Sequence, residues 1–201
     1  MLAIIDYDAG NIKSVINAFD YIGCKAMVTR DPVEIAKADH VVLPGVGAFG
    51  DAMNKLREYE LDGVIKEVTA SGTPFLGICL GLQLLFDSSE ESKDAAGLGI
   101  LRGEIVKIPG GDGLKVPQIG WNELTFPSEG RLFKGIPEHS CVYFVHSYYL
   151  KAGDRDIVKA RCEYGVDIDA SVEKGNVFAC QFHPEKSSDV GMQILKNFVE
   201  I

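Results

Sequence analysis

Three short segments carry the residue types and spacings that could do chemistry. In the first, Pro74-Phe75-Leu76-Gly77-Ile78-Cys79-Leu80-Gly81-Leu82-Gln83-Leu84-Leu85-Phe86, an apolar strand runs into Gly-x-Cys-x-Gly and an apolar helix follows. That pattern is a nucleophile elbow, a sharp strand-to-helix turn whose tip is flanked by glycines because larger neighbours would clash. A cysteine there sits beside a helix N-terminus, whose positive dipole end favours a thiolate. The backbone N–H of Leu80 points into the same space as an oxyanion donor. The competing reading is a buried structural thiol between chance glycines, since 22 of the 201 residues are Gly.

A thiol nucleophile needs a base, because an unperturbed cysteine is only a few per cent ionised at neutral pH. Of His40, His139, His146 and His183, the last stands out in His183-Pro184-Glu185. Proline favours an extended conformation for the residue before it, and in an extended segment residues i and i+2 share a face. The Glu185 carboxylate then reaches one ring nitrogen and fixes the tautomer, leaving the other nitrogen to take the thiol proton. A surface histidine and an unrelated glutamate remain the alternative. The third segment, Pro44-Gly45-Val46-Gly47-Ala48-Phe49-Gly50, ends a strand with three glycines that let the backbone approach a ligand. No Lys-Ser/Thr follows, so a phosphate loop is a poor fit. An amide-lined wall opposite the elbow, supplying a second oxyanion donor, fits better than a functionless turn.

The elements that must position these segments follow from periodicity. Strands are read at Leu2–Ile5, Lys25–Thr29, His40–Leu43 and Phe75–Ile78, with helices over Ile12–Ile22, from Asp31-Pro32-Val33-Glu34 onward, and over Phe49–Arg57 and Leu61–Ser71. Gly23 fits a helix stop, and Glu34 is placed to close a capping box on Asp31. Such alternation builds a parallel sheet with helices on both faces and puts sites at the carboxyl ends of its strands. Beyond residue 100, short strands at Gly103–Ile108, Trp121–Phe126, Cys141–Leu150, Ile157–Tyr164, Ile168–Lys174 and Val177–Gln181 are separated by turns such as Pro109-Gly110-Gly111-Asp112-Gly113. They read as antiparallel hairpins added to the parallel core, closed by a helix over Asp189–Glu200. The fold class is a single α/β domain spanning residues 1–201.

Composition narrows the function classes. The chain has 46% hydrophobic and 24% charged residues, and 20 Lys+Arg against 29 Asp+Glu give a formal charge of −9. That balance argues against nucleic acid, whose binders neutralise phosphates with basic residues, and against an anionic membrane. Met1-Leu2-Ala3-Ile4-Ile5-Asp6 lacks a basic n-region and reads as a strand, not a signal peptide. Five scattered cysteines (Cys24, Cys79, Cys141, Cys162 and Cys180) with no CxxC pair point away from a disulfide scaffold or zinc ribbon and toward the cytoplasm. Neither a metal nor a cofactor is expected.

Taken in order, Pro44-Gly45-x-Gly47, Gly77-Ile78-Cys79-Leu80-Gly81-x-Gln83 and His183-Pro184-Glu185 resemble the class I (triad) glutamine amidotransferases. Asp6-Tyr7-x-x-Gly10-Asn11, Pro117-x-x-Gly120-Trp121-Asn122, Phe144-Val145-His146-Ser147-Tyr148 and Lys186 are similar to the subfamily of glutaminase subunits of imidazole glycerol phosphate synthase. The resemblance implies a Cys79–His183–Glu185 triad that hydrolyses glutamine through a thioester. It implies oxyanion donors at Leu80 and within Val46–Gly47, and substrate contacts from Gly47, Gln83, Ser147 and Tyr148. It also implies ammonia transfer to a (β/α)₈-barrel cyclase subunit, with Tyr7, Asn11, Trp121, Tyr143 and Lys186 at or near that interface. A glutaminase fills the 201 residues, so the ammonia-consuming synthase is expected on another polypeptide. Asp8 and Gln118 depart from the subfamily pattern, where Gly and His are usual, in loops assigned to the partner face. A glutaminase of another synthase, such as that for pyridoxal phosphate, would not carry the Asp-Tyr-x-x-Gly-Asn and Gly-Trp-Asn motifs. A cysteine redox sensor of similar fold would not need His183-Pro184-Glu185 or Gln83.

Overall fold

The first strand pairs on both sides with strands that follow it in the chain, and this sets where the parallel sheet opens. The computed structural model describes residues 1–111 and 113–201. Strand β1 (Leu2–Ile5) leads through helix α1 (Ile12–Tyr21) to β2 (Ala26–Thr29), and α2 (Pro32–Ala36) returns the chain to β3 (His40–Gly45) on the other side of β1. Helices α3 (Phe49–Glu58) and α4 (Leu61–Ser71) then carry it to β4 (Phe75–Cys79), followed by the five-residue α5 (Leu80–Leu84). Three short sheet segments come next: β5 (Ser88–Ser89), β6 (Gly103–Lys107) and β7 (Gln118–Glu123). The chain continues with β8 (Cys141–His146), β9 (Tyr148–Ala152), β10 (Val158–Glu163), β11 (Asp167–Lys174), β12 (Val177–Cys180) and α6 (Ser188–Val199).

The main sheet has the order β10-β11-β12-β4-β3-β1-β2. Its β2-β1-β3-β4-β12 portion is parallel, whereas β11 and β10 are added antiparallel. A three-stranded β5-β6-β9 sheet and a β7-β8 ribbon complete the architecture. This is the α/β class read from periodicity. Strands β1, β4 and β12 are buried along their whole length, as parallel strands covered on both faces must be. Alternate residues feed two cores. Ala3, Ile5, Val41 and Leu43 pack with α2, α3 and α4, while Leu2, Ile4, Val42 and Phe178 pack with α1 and α6.

Four local expectations are corrected. Cys141–Leu150 is not one strand: it breaks at Ser147, with β8 pairing β7 and β9 pairing β6. The strand read from Trp121 begins earlier, at Gln118, because its ladder with β8 extends to His146. Asp31 caps α2 by accepting from the Val33 N–H at 2.8 Å, but its own N–H goes to Thr29 Oγ1 at 3.0 Å, so Glu34 closes no box. His183 is extended as expected, yet Pro184–Lys186 turns into a 3₁₀ helix, so any contact with Glu185 arises from a turn and not from strand alternation. Part of the turn read over Pro109–Gly113, Asp112, lies outside the described residues. Among the described residues no helix is long and apolar enough to cross a membrane.

Candidate active site

Cys79 ends β4 with φ 54° and ψ −107°, a backbone region that side chains rarely occupy. The flanking glycines are explained by contact. A Cβ on Gly81 would run into the Leu43 carbonyl oxygen, and one on Gly77 would lie 2.7 Å from the Gly81 oxygen. The helix leaving the elbow is pressed against β3 this closely because Gly45 and Cys79 are register partners on neighbouring parallel strands. The Gly45–Gly47 loop and the elbow therefore leave the sheet side by side at its carboxyl edge.

Strand β12 lies on the other side of β4, with Cys180 in register with Ile78. The chain beyond it delivers His183, whose Nδ1 is 2.8 Å from Glu185 Oε1. The turn is fastened to β8 at several points. The His183 N–H donates to the Tyr143 carbonyl at 2.9 Å, the Tyr143 N–H to Ser187 Oγ at 2.9 Å, and Ser187 Oγ to the His183 carbonyl at 2.6 Å. Burial alone would push the His183 imidazole down, but its hydrogen bonds to Cys79 and Glu185 outweigh this and lift it to about 10. The ring is thus a base strong enough to take a thiol proton. The other cysteines lack this setting. Burial pushes the Cys162 thiol up to about 12 and Cys180 well above its ordinary value, Cys24 is half-buried, and Cys141 is exposed.

The elbow opens into a cavity of about 310 Å³ lined by Val46, Gly47, Cys79, Leu80, Gln83, Ser147, Tyr148, His183 and Lys186, among others. Every residue expected to hold substrate or an oxyanion is in that wall. The strand break places Ser147 and Tyr148 there, because their backbone leaves one sheet for another at this point. Gln83 is buried, and its Nε2 donates to the Tyr148 carbonyl at 3.1 Å and to Gln181 Oε1 at 3.0 Å.

The residues assigned to a partner face divide. Trp121 is 54% exposed and stands edge-on to the half-buried Tyr143, their ring centroids 5.9 Å apart on the β7-β8 ribbon. Lys186 is exposed at the cavity. Asn11 is exposed and caps α1, accepting from the Ser14 N–H. Tyr7, expected at or near that face, is fully buried in the core beneath Gly45 and presents no side-chain surface. Gln118 is corrected. It is buried, with Oε1 placed 2.9 Å from His146 Nε2, and so forms part of the packing behind the cavity. Asp8 is exposed at φ 63°, a conformation glycine adopts more easily, and is held by Arg30 at 2.7 Å and by the Tyr59 hydroxyl.

Three residues at the site, Gln181, Ser187 and Glu91, had no signal in the sequence, and a fourth, His146, stood there in a motif without an assigned role. Gln181 reaches the elbow cysteine, with Nε2 3.7 Å from Cys79 Sγ, and Ser187 fastens the histidine turn. His146 lines the cavity, with Nδ1 2.8 Å from the Tyr148 carbonyl. Glu91 supplies a carboxylate to the cavity, held by the Phe49 N–H at 2.7 Å at the start of α3. An acidic residue in a polar run such as Ser88-Ser89-Glu90-Glu91-Ser92 looks like any solvated loop until the fold brings it to the cavity. Among the described residues no group of three or more His, Cys, Asp or Glu side chains is disposed to hold a metal ion.

A cysteine on a strained elbow, a histidine hydrogen-bonded to a buried carboxylate, and glycine-bearing loops around a small cavity fit a hydrolase of the cysteine-triad type on an open α/β sheet. The family model for class-I glutamine amidotransferases matches residues 3–201, and the chain belongs to that family. Its relatives narrow the comparison. It is 51% identical over 200 residues to the imidazole glycerol phosphate synthase subunit HisH of Moorella thermoacetica, covering 100% of this chain and 94% of that protein. To the HisH subunit of Bacillus cereus it is 54% identical over 198 residues, covering 98% of this chain and 93% of that one. Among solved structures, a glutamine amidotransferase superposes with a TM-score of 0.78 at 20% identity, covering 98% of this chain and 97% of that chain. PurLQS from Thermotoga maritima gives 0.76 at 20% identity, covering 99% of this chain and 97% of that chain. These two share the fold.

Proposed function

We propose that the chain is the glutaminase subunit of an imidazole glycerol phosphate synthase, acting in histidine biosynthesis in the cytoplasm. The observation that carries the chemistry is the run Cys79–His183–Glu185, with Cys79 and His183 lining one cavity and Glu185 behind the histidine. Similarity to HisH subunits along the whole chain carries the choice of synthase.

The Cys79 thiolate attacks the side-chain amide carbon of glutamine, and the developing oxyanion is met by the Leu80 N–H and an amide within Val46–Gly47. Donors of this kind are usually worth about 10²–10³ in rate each. The His183 imidazolium gives its proton to the departing nitrogen, which leaves as ammonia, and a thioester remains. His183 then takes a proton from water as the water's oxygen attacks the thioester carbon. The C–S bond breaks, glutamate forms and the thiolate is restored. Glu185 holds the ring in orientation throughout. Gln83, Ser147 and Tyr148 position the substrate, and the Glu91 carboxylate matches its α-amino group. Ammonia passes to a cyclase subunit, a (β/α)₈ barrel, docked over Trp121, Tyr143, Asn11 and Lys186.

The test is glutamine hydrolysis by the isolated chain and by its mixture with the barrel subunit and its nucleotide substrate. Activity rises in the mixture and disappears in Cys79→Ala, and a glutamine-analogue electrophile labels Cys79 while sparing Cys24, Cys141, Cys162 and Cys180. Turnover retained by Cys79→Ala overturns the nucleophile, and full activity without the partner overturns the coupled subunit.

A further inference from the structure

Gln181 lies two residues before His183 and has no exposed surface. Its two amide ends face different partners: Nε2 is 3.7 Å from Cys79 Sγ and Oε1 is 3.0 Å from Gln83 Nε2. The direction of both amides is settled one residue further back. The Tyr148 carbonyl, 3.1 Å from Gln83 Nε2, can only accept, so Gln83 must turn its NH₂ toward it. That NH₂ also meets Gln181, which must therefore present its oxygen on this side, because two amide NH₂ groups cannot satisfy each other. The remaining end of Gln181, its NH₂, is left against the sulfur. A backbone carbonyl thus polarises two buried amides in series, and the series terminates on the nucleophile.

We infer that Gln181 is a catalytic hydrogen-bond donor to the Cys79 sulfur, serving the thiolate both as attacking group and as leaving group. This rests on the glutaminase reading above. In the first half-reaction, a sulfur that accepts from Gln181 has its own proton directed away from the amide, to the side where the Val145 carbonyl lies 3.8 Å from Sγ and His183 lines the same cavity. In the second, the electron pair of the breaking C–S bond returns to sulfur while the proton from water sits on His183, and a fixed donor facing the sulfur stabilises that departing charge. The donor needs no rearrangement between the two steps, because Gln181 is enclosed and its N–H also donates from the backbone to the Ala170 carbonyl at 2.8 Å.

The titratable groups around the sulfur are His183 and Glu185 beyond β12, Cys180 in β12, and Tyr7 after β1. His146 at the end of β8, Glu91 and Lys186 share the cavity. All are unchanged when only residue 181 is replaced, so a difference between variant and parent reports the amide.

The experiment is the rate of Cys79 alkylation by iodoacetamide against pH, read on the Cys79 peptide by mass spectrometry in the full-length chain. Gln181→Leu removes the donor, whereas Gln181→Glu keeps the shape, still accepts from Gln83 and turns an oxygen to the sulfur. The pH of half-maximal alkylation moves up in both, by about one unit in Gln181→Leu, which is tenfold less thiolate at a given pH. It moves further in Gln181→Glu. With the partner subunit present, kcat for glutamine falls and KM changes little. Should Gln181→Leu not fold, Gln83→Leu gives the same reading, because it frees the Gln181 amide to turn. Parent-like alkylation profiles in variants with parent-like circular dichroism and unfolding midpoint overturn the inference. Alkylation needs no glutamine, so a parent chain that stays inactive even with the barrel subunit and its nucleotide overturns the glutaminase reading while the alkylation profile still decides the role of the amide.

Discussion

His183 Nδ1 and Glu185 Oε1 lie 2.8 Å apart across a single proline, and the glutamate side chain is only 1% exposed. A carboxyl group buried to this degree needs a partner, and its partner is the imidazole that carries the proton in the proposed mechanism. In Glu185→Gln the shape is kept and the charge is lost. The His183 ring then titrates well below its present value near 10, because one of the two hydrogen bonds that raise it no longer ends on a carboxylate. Glutaminase kcat falls by about 10²-fold or more, in line with the usual worth of a positioned acid–base group. NMR titration of the ring and steady-state assay with the partner subunit check the two halves of this statement. An unchanged ring titration would mean that Glu185 does not set the base.

The elbow was legible in sequence for a local reason: Gly77 and Gly81 are demanded by atoms of the turn itself and of the strand beside it, so the pattern survives in the five residues 77–81. His183-Pro184-Glu185 was legible because its contact is local, spanning two residues, although a 3₁₀ turn and not an extended run closes it. What sequence could not supply is what neighbouring strands bring from afar. Gln181 acquires its meaning from Gln83, 98 residues earlier, and Ser187 from Tyr143, 44 residues earlier. The break at Ser147 depends on two different sheets competing for one apolar run, which no periodicity within that run reveals. Tyr7 and Trp121 are both aromatics in motif positions, yet one is sealed beneath the sheet edge and the other is half exposed, a difference set by the packing of distant strands.

His146 makes the fold sensitive to acid in a defined window. Burial pushes its imidazole down and the His183 charge adds to this, against a raising hydrogen bond to the Tyr148 carbonyl, leaving it at about 4. The unfolded chain takes up this proton near pH 6.5 and the folded chain near 4, so the unfolded state binds more protons between those values. Stability is complete above about pH 6.5, falls as pH drops toward 4 and levels off below, for a loss on the order of 3 kcal/mol. Carboxylates titrate in the same range, so the readout is the difference between the parent and His146→Gln in urea midpoints at pH 7 and pH 4.5. The variant is less stable at pH 7 but loses less on acidification. Equal losses in the two proteins would show that His146 is not held neutral. His183 acts in the opposite sense: its raised pKa contributes stability fully below about pH 6.5 that is lost as pH rises toward 10.

Two glycine substitutions separate packing at the elbow from ordinary helix propensity. Gly81 lies in α5 against β3, and a methyl group there meets the Leu43 carbonyl oxygen, a backbone atom that cannot swing aside. Gly81→Ala must lift the helix from the strand or shift the elbow, at a cost of about 3 kcal/mol or more. Gly63 lies in the exposed first turns of α4 with nothing within 4 Å of an added Cβ, and Gly63→Ala stabilises by roughly 0.5–1 kcal/mol because alanine loses less backbone entropy in a helix. Thermal and urea midpoints read both. Gly63→Ala keeps the parent's alkylation rate at Cys79, whereas any folded Gly81→Ala loses it, because the same close approach that excludes the methyl group also fixes the φ of 54° that turns the sulfur into the cavity. Parent-like stability and alkylation in Gly81→Ala would mean that the elbow tolerates a wider separation of α5 from β3, and the glycine pattern would then have no steric cause.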